Sequence, residues 1–333
     1  MTDRPLGRRG LAVSRLGLGL AAVGRPGYIN LGRARDLPAK RTPEALYARS
    51  AALLDAARAA GIRYLDVARS YGRAEEFLAR WLRERAVAPG ALTIGSKWGY
   101  RYTAGWRVDA PVHEEKELSL GRFAAQLRET RALLGARLDL YQMHSATAES
   151  GCLEDTALLR ALVDGRRAGA YRAVGLTLSG PTSARALELA LAARADGEPV
   201  FDVVQATFNC LEPSLAAALR AAHEAGLGVI VKEALANGRL TAANDRLDDA
   251  RLVRVLGAAA AARGCGVDQL ALSWVLEHPF VDVVLSGAAT ETQLVSHVGA
   301  LALVLDATAR AALAALVEPP ARYWQTRGTL RWS

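Results

Sequence analysis

One pattern constrains this chain more than any other: short apolar runs alternate with longer amphipathic stretches along almost its whole length. Strand-like runs stand at Leu16–Leu20, Ile62–Asp66, Leu92–Lys97, Leu138–Met143, Tyr171–Leu176, Val200–Ala206, Gly228–Val231 and Val281–Leu285. Helical patterns separate them, at residues 42–60, 73–86, 120–134, 154–168, 182–195, 213–225, 249–263 and 290–303, with a further short one at 267–277. A strand followed each time by a helix returns to a parallel neighbour. Eight such units in 333 residues favour a closed (β/α)8 TIM barrel over two doubly wound halves. No G-x-G-x-x-G follows any strand, which counts against a Rossmann domain.

The segments outside this alternation have their own signatures. Residues 6–20 read as a β-hairpin leading into the first strand. Residues 21–41, rich in Gly, Pro and Arg and without periodicity, read as a long loop of the kind that carries function. Thr42-Pro43-Glu44 starts a helix, with Thr as the cap and Pro in the first turn. The tail Glu318–Ser333 holds two Pro and two Trp with no clear period, and is expected to lie as a flap over the barrel mouth. No linker-like segment divides residues 1–333, so one domain is expected.

Composition narrows the class of function. A hydrophobic content of 51% with 23% charged residues is ordinary for a soluble globular protein. No apolar run approaches the roughly 18 to 20 residues of a membrane span, and the start MTDRPLGRRG has no apolar leader region. Cys152, Cys210 and Cys265 have no metal-site spacing and are odd in number, which fits a reducing cytoplasm. No H-E-x-x-H is present, so no metal is expected. The net charge of +8 comes from single Arg residues spread along amphipathic helices; the only lysines are Lys40, Lys97, Lys116 and Lys232. That distribution does not form the basic block of a nucleic-acid binder.

The polar residues that close the strands are more informative. In a parallel α/β protein, sites are built at the C-terminal strand edge. The second strand ends in Asp66, followed by Tyr71; the third, LTIGSK, ends in Lys97; the fourth is followed at once by His144. Glu75 and Glu76, in a helix's first turn, suit the helix dipole and are read as structural. The other four make a coherent chemistry. A tyrosine hydroxyl is a weak acid with a pKa near 10. A neighbouring Lys lowers that value, and an Asp keeps the Lys charged and in place. His144 can hydrogen-bond a carbonyl oxygen that Tyr71 protonates. Carbonyl reduction with a nicotinamide as hydride source follows.

These residues resemble the aldo-keto reductase superfamily. D-x-A-x-x-Y-G is met by Asp66, Ala68, Tyr71 and Gly72; GSKWG supplies the strand-three Lys97; LDLYQMH ends in His144. The opening LGRRGLAVSRLGLGL is similar to the family's hairpin and first strand. The resemblance implies a (β/α)8 barrel that uses NADP(H) or NAD(H), with Tyr71 as general acid, Lys97 and Asp66 tuning it, and His144 orienting the carbonyl. It implies NADP(H) ahead of NAD(H) by family habit alone, and a small-molecule carbonyl or alcohol as partner.

By the same resemblance, Gln205 contacts the nicotinamide carboxamide and Phe208 stands where a ring stacks on the nicotinamide. Thr177 keeps a hydroxyl in the strand-five position, whereas Leu178 replaces an amide and forfeits about 1 kcal/mol of hydrogen bonding. After strand seven, Lys232, Glu233, Leu235 and Gly238 stand at the pyrophosphate, Glu233 being expected to turn away or pair with a cation such as Lys232. After strand eight, Ser286, Gly287 and Thr290 open a helix whose free amides would suit a phosphate. Gln293 and His297 follow near the adenine, and no Arg or Lys clearly fills the 2′-phosphate position. The departures leave room for a cofactor-binding regulatory protein with little turnover, or for a tailoring enzyme whose net reaction is redox-neutral. The loops at 21–41 and 98–118 and the tail are expected to set the substrate.

Overall fold

The computed structural model describes residues 3–333. Eight parallel strands close into one barrel, in the spatial order of the chain: β1 (Leu16–Gly19), β2 (Tyr64–Asp66), β3 (Thr93–Trp98), β4 (Leu140–Met143), β5 (Ala173–Leu178), β6 (Val203–Thr207), β7 (Gly228–Lys232) and β8 (Val283–Ser286). Every residue of β3 and β5 is buried, as expected of parallel strands covered on both faces. Most strands start a little later than the apolar runs suggest. Ile62, Leu138, Tyr171 and Val200 are buried ahead of the ladder and carry no strand pairing.

The helices around the barrel are α1 (Pro43–Ala59), α2 (Ala74–Glu84), α3 (Leu120–Leu134), α4 (Thr156–Arg167), α5 (Ser183–Ala192), α6 (Ala216–Glu224), α7 (Ala250–Ala261), α8 (Val267–Leu276) and α9 (Glu291–Gly299). α1 begins where the sequence says, with the Thr42 hydroxyl accepting from the Ala45 amide at 3.2 Å. It buries Leu46, Leu53, Leu54 and Ala57 against the barrel. Apolar side chains on the outer face of the strands join those of the helices in one continuous core.

A second, smaller core fills the barrel's lower interior. Tyr64, Leu140, Ala173, Val203, Ile230 and Val283 point inward there. The hairpin of Arg4–Leu6 and Leu11–Val13 closes it from below with Leu6, Leu11 and Val13. Gly95 makes this layer possible, because a Cβ there would stand 2.3 Å from the Tyr64 hydroxyl. The hydrocarbon floor leaves only the upper end of the barrel for polar chemistry.

Five elements lie outside the alternation read from the sequence. Tyr100–Tyr102 and Glu114–Lys116 form a hairpin above β3, and Arg194–Ala195 pairs with Glu198–Pro199. Ala307–Ala314 is a further helix, α10, and the tail is helical over Pro320–Gly328, α11. The Gly-, Pro- and Arg-rich segment carries one short helix, Arg33–Asp36. Among the described residues no helix is long and apolar enough to cross a membrane.

Candidate active site

Strand ends and their loops surround a cavity of about 810 Å3 at the top of the barrel. Asp66 stands at its floor, one side-chain layer above Tyr64. It pairs with the Lys97 ammonium; its Oδ2 accepts from the Tyr64 hydroxyl at 3.0 Å, from Gln205 Nε2 at 2.9 Å and from Gln142 Nε2 at 3.4 Å. Lys97 Nζ also donates to the Val67 carbonyl at 3.0 Å. Both charges are buried, and each is met by fixed partners, the condition under which a buried ion pair is tolerated.

Tyr71 comes from the loop after β2 and lies over this pair, with Lys97 Nζ 4.7 Å from its ring centroid. Its ring meets His144 edge-on at 5.7 Å, and His144 meets Tyr100 at 4.9 Å. Asp66, Tyr71 and His144 line the cavity, with Lys97 directly beneath. His144 Nδ1 is buried without a hydrogen-bond partner among the described residues. Burial, reinforced by Lys97 and Lys232, holds the imidazole well below its ordinary pKa, so it is neutral at neutral pH. The Tyr71 hydroxyl departs from the sequence expectation. Burial first, and then the Asp66 carboxylate, push it well above the ordinary tyrosine value, with only Arg25 prominent in the opposite sense. The Lys97 charge is engaged by Asp66, so Tyr71 is kept as a protonated donor.

Several residues expected at a cofactor line this cavity: Gln205, Lys232, Leu235, Gly238, Ser286, Gly287, Gln293 and His297. Gly238 adopts φ +92°, and a Cβ on it would press to 3.0 Å on the backbone of Leu31. The Leu31 amide bonds the Asn237 carbonyl at 3.0 Å, so the early loop and the loop after β7 meet across the cavity.

Other positions need correction. Phe208 is fully buried on the outer side of the barrel, stacked on Trp274 at 5.2 Å and edge-on to His278 and Phe280, so its ring faces no cavity. Thr177 lies below the cavity, where its hydroxyl accepts from the Ser145 amide at 2.8 Å. Leu178 belongs to the outer apolar core, and the polar residue that reaches the mouth from β5 is Ser179. Thr290 does not line the cavity; it caps α9 by accepting from the Gln293 amide at 3.2 Å. Two amides of that turn are taken: Ala288 donates to Ser286 Oγ at 3.3 Å and Ala289 to Gln293 Oε1 at 2.8 Å.

Glu233 finds its cation, but from another element. Arg327 of α11 binds it through Nε at 3.0 and 2.9 Å and through a second guanidinium nitrogen, whereas Lys232 Nζ stays 3.8 Å away. Lys232 instead donates to Ser179 Oγ at 2.7 Å and Thr207 Oγ1 at 3.0 Å. Burial lowers the Lys232 pKa to about 8 despite Glu233. The tail thus lies over the mouth as expected, latched also by Asn209 Nδ2 donating to the Tyr323 hydroxyl at 2.9 Å.

The substrate-facing side was legible only as three loops. The structure fills it with Arg25, Tyr28, Tyr100, Glu114 and Trp332. Arg25 donates to Glu114 at 2.6 Å and lies over the rings of Tyr28, Tyr71 and Trp332 at 5.0, 5.3 and 4.9 Å. No periodicity or motif marks these residues, because they come from separate irregular segments.

The model of the Aldo/keto reductase family matches residues 16–318, a span that includes all eight strands and the four residues at the cavity floor. The chain belongs to the aldo-keto reductase family. Solved structures agree with the fold. An aldo-keto reductase from Bacillus halodurans, in its holo form, matches with a TM-score of 0.72 at 21% identity, covering 96% of this chain and 97% of that one. An aldo-keto reductase from Pseudomonas aeruginosa matches with a TM-score of 0.62 at 24% identity, covering 90% and 96%. Family and fold together imply oxidoreductase activity on carbonyls. Aldo-keto reductases use nicotinamide cofactors.

Proposed function

We propose that the protein reduces an aldehyde or ketone to an alcohol, or runs the reverse reaction, with a nicotinamide dinucleotide held in the barrel mouth. The observation that carries this reading is the buried Lys97–Asp66 pair beneath Tyr71 and beside His144, all at one edge of three adjacent strands.

The cavity suits a dinucleotide. Its volume falls in the roughly 300–1,000 Å3 range of cofactor pockets, and its walls run from the tetrad to the start of α9. Asn237 Oδ1, buried in that wall, has no partner among the described residues and is left to accept from a ligand. Gln205 Nε2 is held by Asp66, which leaves its carbonyl oxygen to a carboxamide N–H. Leu235, Gly238 and Lys232 would border the phosphates, and Gln293 and His297 the adenosine. When bound, the nicotinamide supplies a hydride to the carbonyl carbon.

The chain's own residues do the rest. His144, neutral and with Nδ1 unengaged, orients the carbonyl oxygen through a hydrogen bond. Tyr71, protonated and without a hydrogen-bond partner for its hydroxyl among the described residues, passes its proton to that oxygen as negative charge develops there. Lys97 stabilises the tyrosinate that forms, which is where its charge matters, and Asp66 keeps it in place. The aromatic wall of Tyr28, Tyr100 and Trp332 excludes water from the step. Tyr71→Phe tests the mechanism: kcat falls by at least about 100-fold while cofactor affinity is kept. Full activity in that variant would remove Tyr71 as the acid.

A further inference from the structure

The far end of the same cavity, away from the tetrad, is walled by the turn after β8 and the start of α9. On the reading that the cavity holds a nicotinamide dinucleotide with its nicotinamide beside Tyr71, the adenosine ribose lies at this end. Two carboxylates line it. Asp36, from the short helix in the early loop, accepts from Gln293 Nε2 at 2.8 Å, and Asp268, from the first turn of α8, stands 3.6 Å from His297 Nε2.

Arg33 acts on Asp36 through space, but among the described residues no Lys or Arg forms an ion pair with Asp36 or Asp268. The basic residues that line the cavity, among the described residues, are Arg25, Arg33, Lys116, Lys232 and Arg327. Each belongs elsewhere. Arg25 lies over Tyr71, Lys116 sits on the hairpin beside β3, and Lys232 and Arg327 flank Glu233. The Arg33 guanidinium is spent on the carbonyls of Ala22, Pro26, Arg25 and Ser333. His297 adds no charge, because burial lowers its pKa to about 4 even with Asp268 beside it. The Ala288 and Ala289 amides that could have met a phosphate are taken by Ser286 and Gln293.

We propose that this end selects NAD(H) against NADP(H), with Asp36 and Asp268 accepting from the ribose hydroxyls and repelling a 2′-phosphate. A vicinal diol offers two donors, which suits carboxylate acceptors. A phosphomonoester brings a charge near −2 and offers no donor, so it meets repulsion and loses hydrogen bonds together. Family habit points the other way; the residues of this chain decide against it. Arg35, next to Asp36 in the chain, is a further cation that could reverse the sign. It is exposed, outside the cavity wall, and directed at the Ala243 carbonyl at 3.5 Å.

The test is the dissociation constant of NADH and of NADPH, measured by quenching of tryptophan fluorescence and by calorimetry. It is made on the wild-type chain and on Asp36→Asn, Asp268→Asn and Arg35→Ala. NADH is expected to bind at least about tenfold more tightly than NADPH, a gap of roughly 1.4 kcal/mol. Asp36→Asn and Asp268→Asn should each narrow the gap by strengthening NADPH, and Arg35→Ala should leave it unchanged. Asp36 is partly exposed, so its variant is expected to fold. Equal or tighter binding of NADPH by the wild-type chain overturns the inference and leaves the dinucleotide reading intact. An unchanged gap in both Asn variants overturns the role of the carboxylates. Failure of both dinucleotides to bind removes the dinucleotide reading itself, and this inference with it.

Discussion

Arg327 of the C-terminal helix grips both carboxylate oxygens of Glu233, the residue that follows β7, across 94 positions of sequence. Burial alone would raise the Glu233 pKa, yet Lys232 and Arg327 more than offset it and hold the group at about 2. The folded-state value lies below the ordinary 4.5, so the pair's stabilisation is complete above pH 4.5 and is lost as pH falls towards 2. Thermal melts across that window should show a loss on the order of 3 kcal/mol from this group. Glu233→Gln should be less stable at neutral pH and should flatten the acid limb. Identical pH profiles for both chains would mean that the latch does not hold the tail.

The Lys97–Asp66 pair gives a second prediction. Removing the ammonium by Lys97→Met leaves a buried carboxylate whose remaining donors are the neutral Tyr64, Gln142 and Gln205. Urea unfolding should report a loss of about 3–5 kcal/mol. The double variant Lys97→Met with Asp66→Asn should recover much of it, since no uncompensated charge remains. Equal losses in the single and double variants would show that the cost lies in packing.

His144 predicts a pH profile. Burial and the neighbouring lysines keep the imidazole well below its ordinary pKa. Its charged form is the disfavoured one, so kcat/KM should show no histidine inflection near about pH 6.5 and should stay level down to the point where other groups titrate. An inflection near pH 6.5 that disappears in His144→Gln would place a titrating imidazole at the carbonyl and contradict the neutral assignment.

The fold was legible because strands covered on both faces are apolar throughout, and helices covered on one face are not. The tetrad was legible for a related reason: Asp66, Lys97 and His144 are ionisable groups at the ends of otherwise apolar runs. What escaped was parity at those ends. Side chains alternate across a strand, so a shift of one residue moves a group from the cavity to the outer core. Leu178 and Phe208 both point outward, and Ser179 takes the place in the mouth. Contacts between distant irregular segments, such as Arg327 with Glu233, Asp36 with Gln293 and Arg25 over Tyr71, leave no local pattern. The tail's helix escaped because it begins at the second residue of a Pro-Pro pair and carries Arg and aromatic side chains without an apolar stripe.

The most direct measurement of the central claim follows the hydride. The protein is incubated with NADH deuterated at the hydride-donating ring carbon and a panel of aldehydes and ketones, and the products are read by mass spectrometry. The account predicts an alcohol carrying one deuterium on its carbinol carbon, formed by the wild-type chain and at least about 100-fold more slowly by Tyr71→Phe. Tight cofactor binding with no deuterium in any product would contradict it, and would make this barrel a cofactor-binding protein without carbonyl turnover.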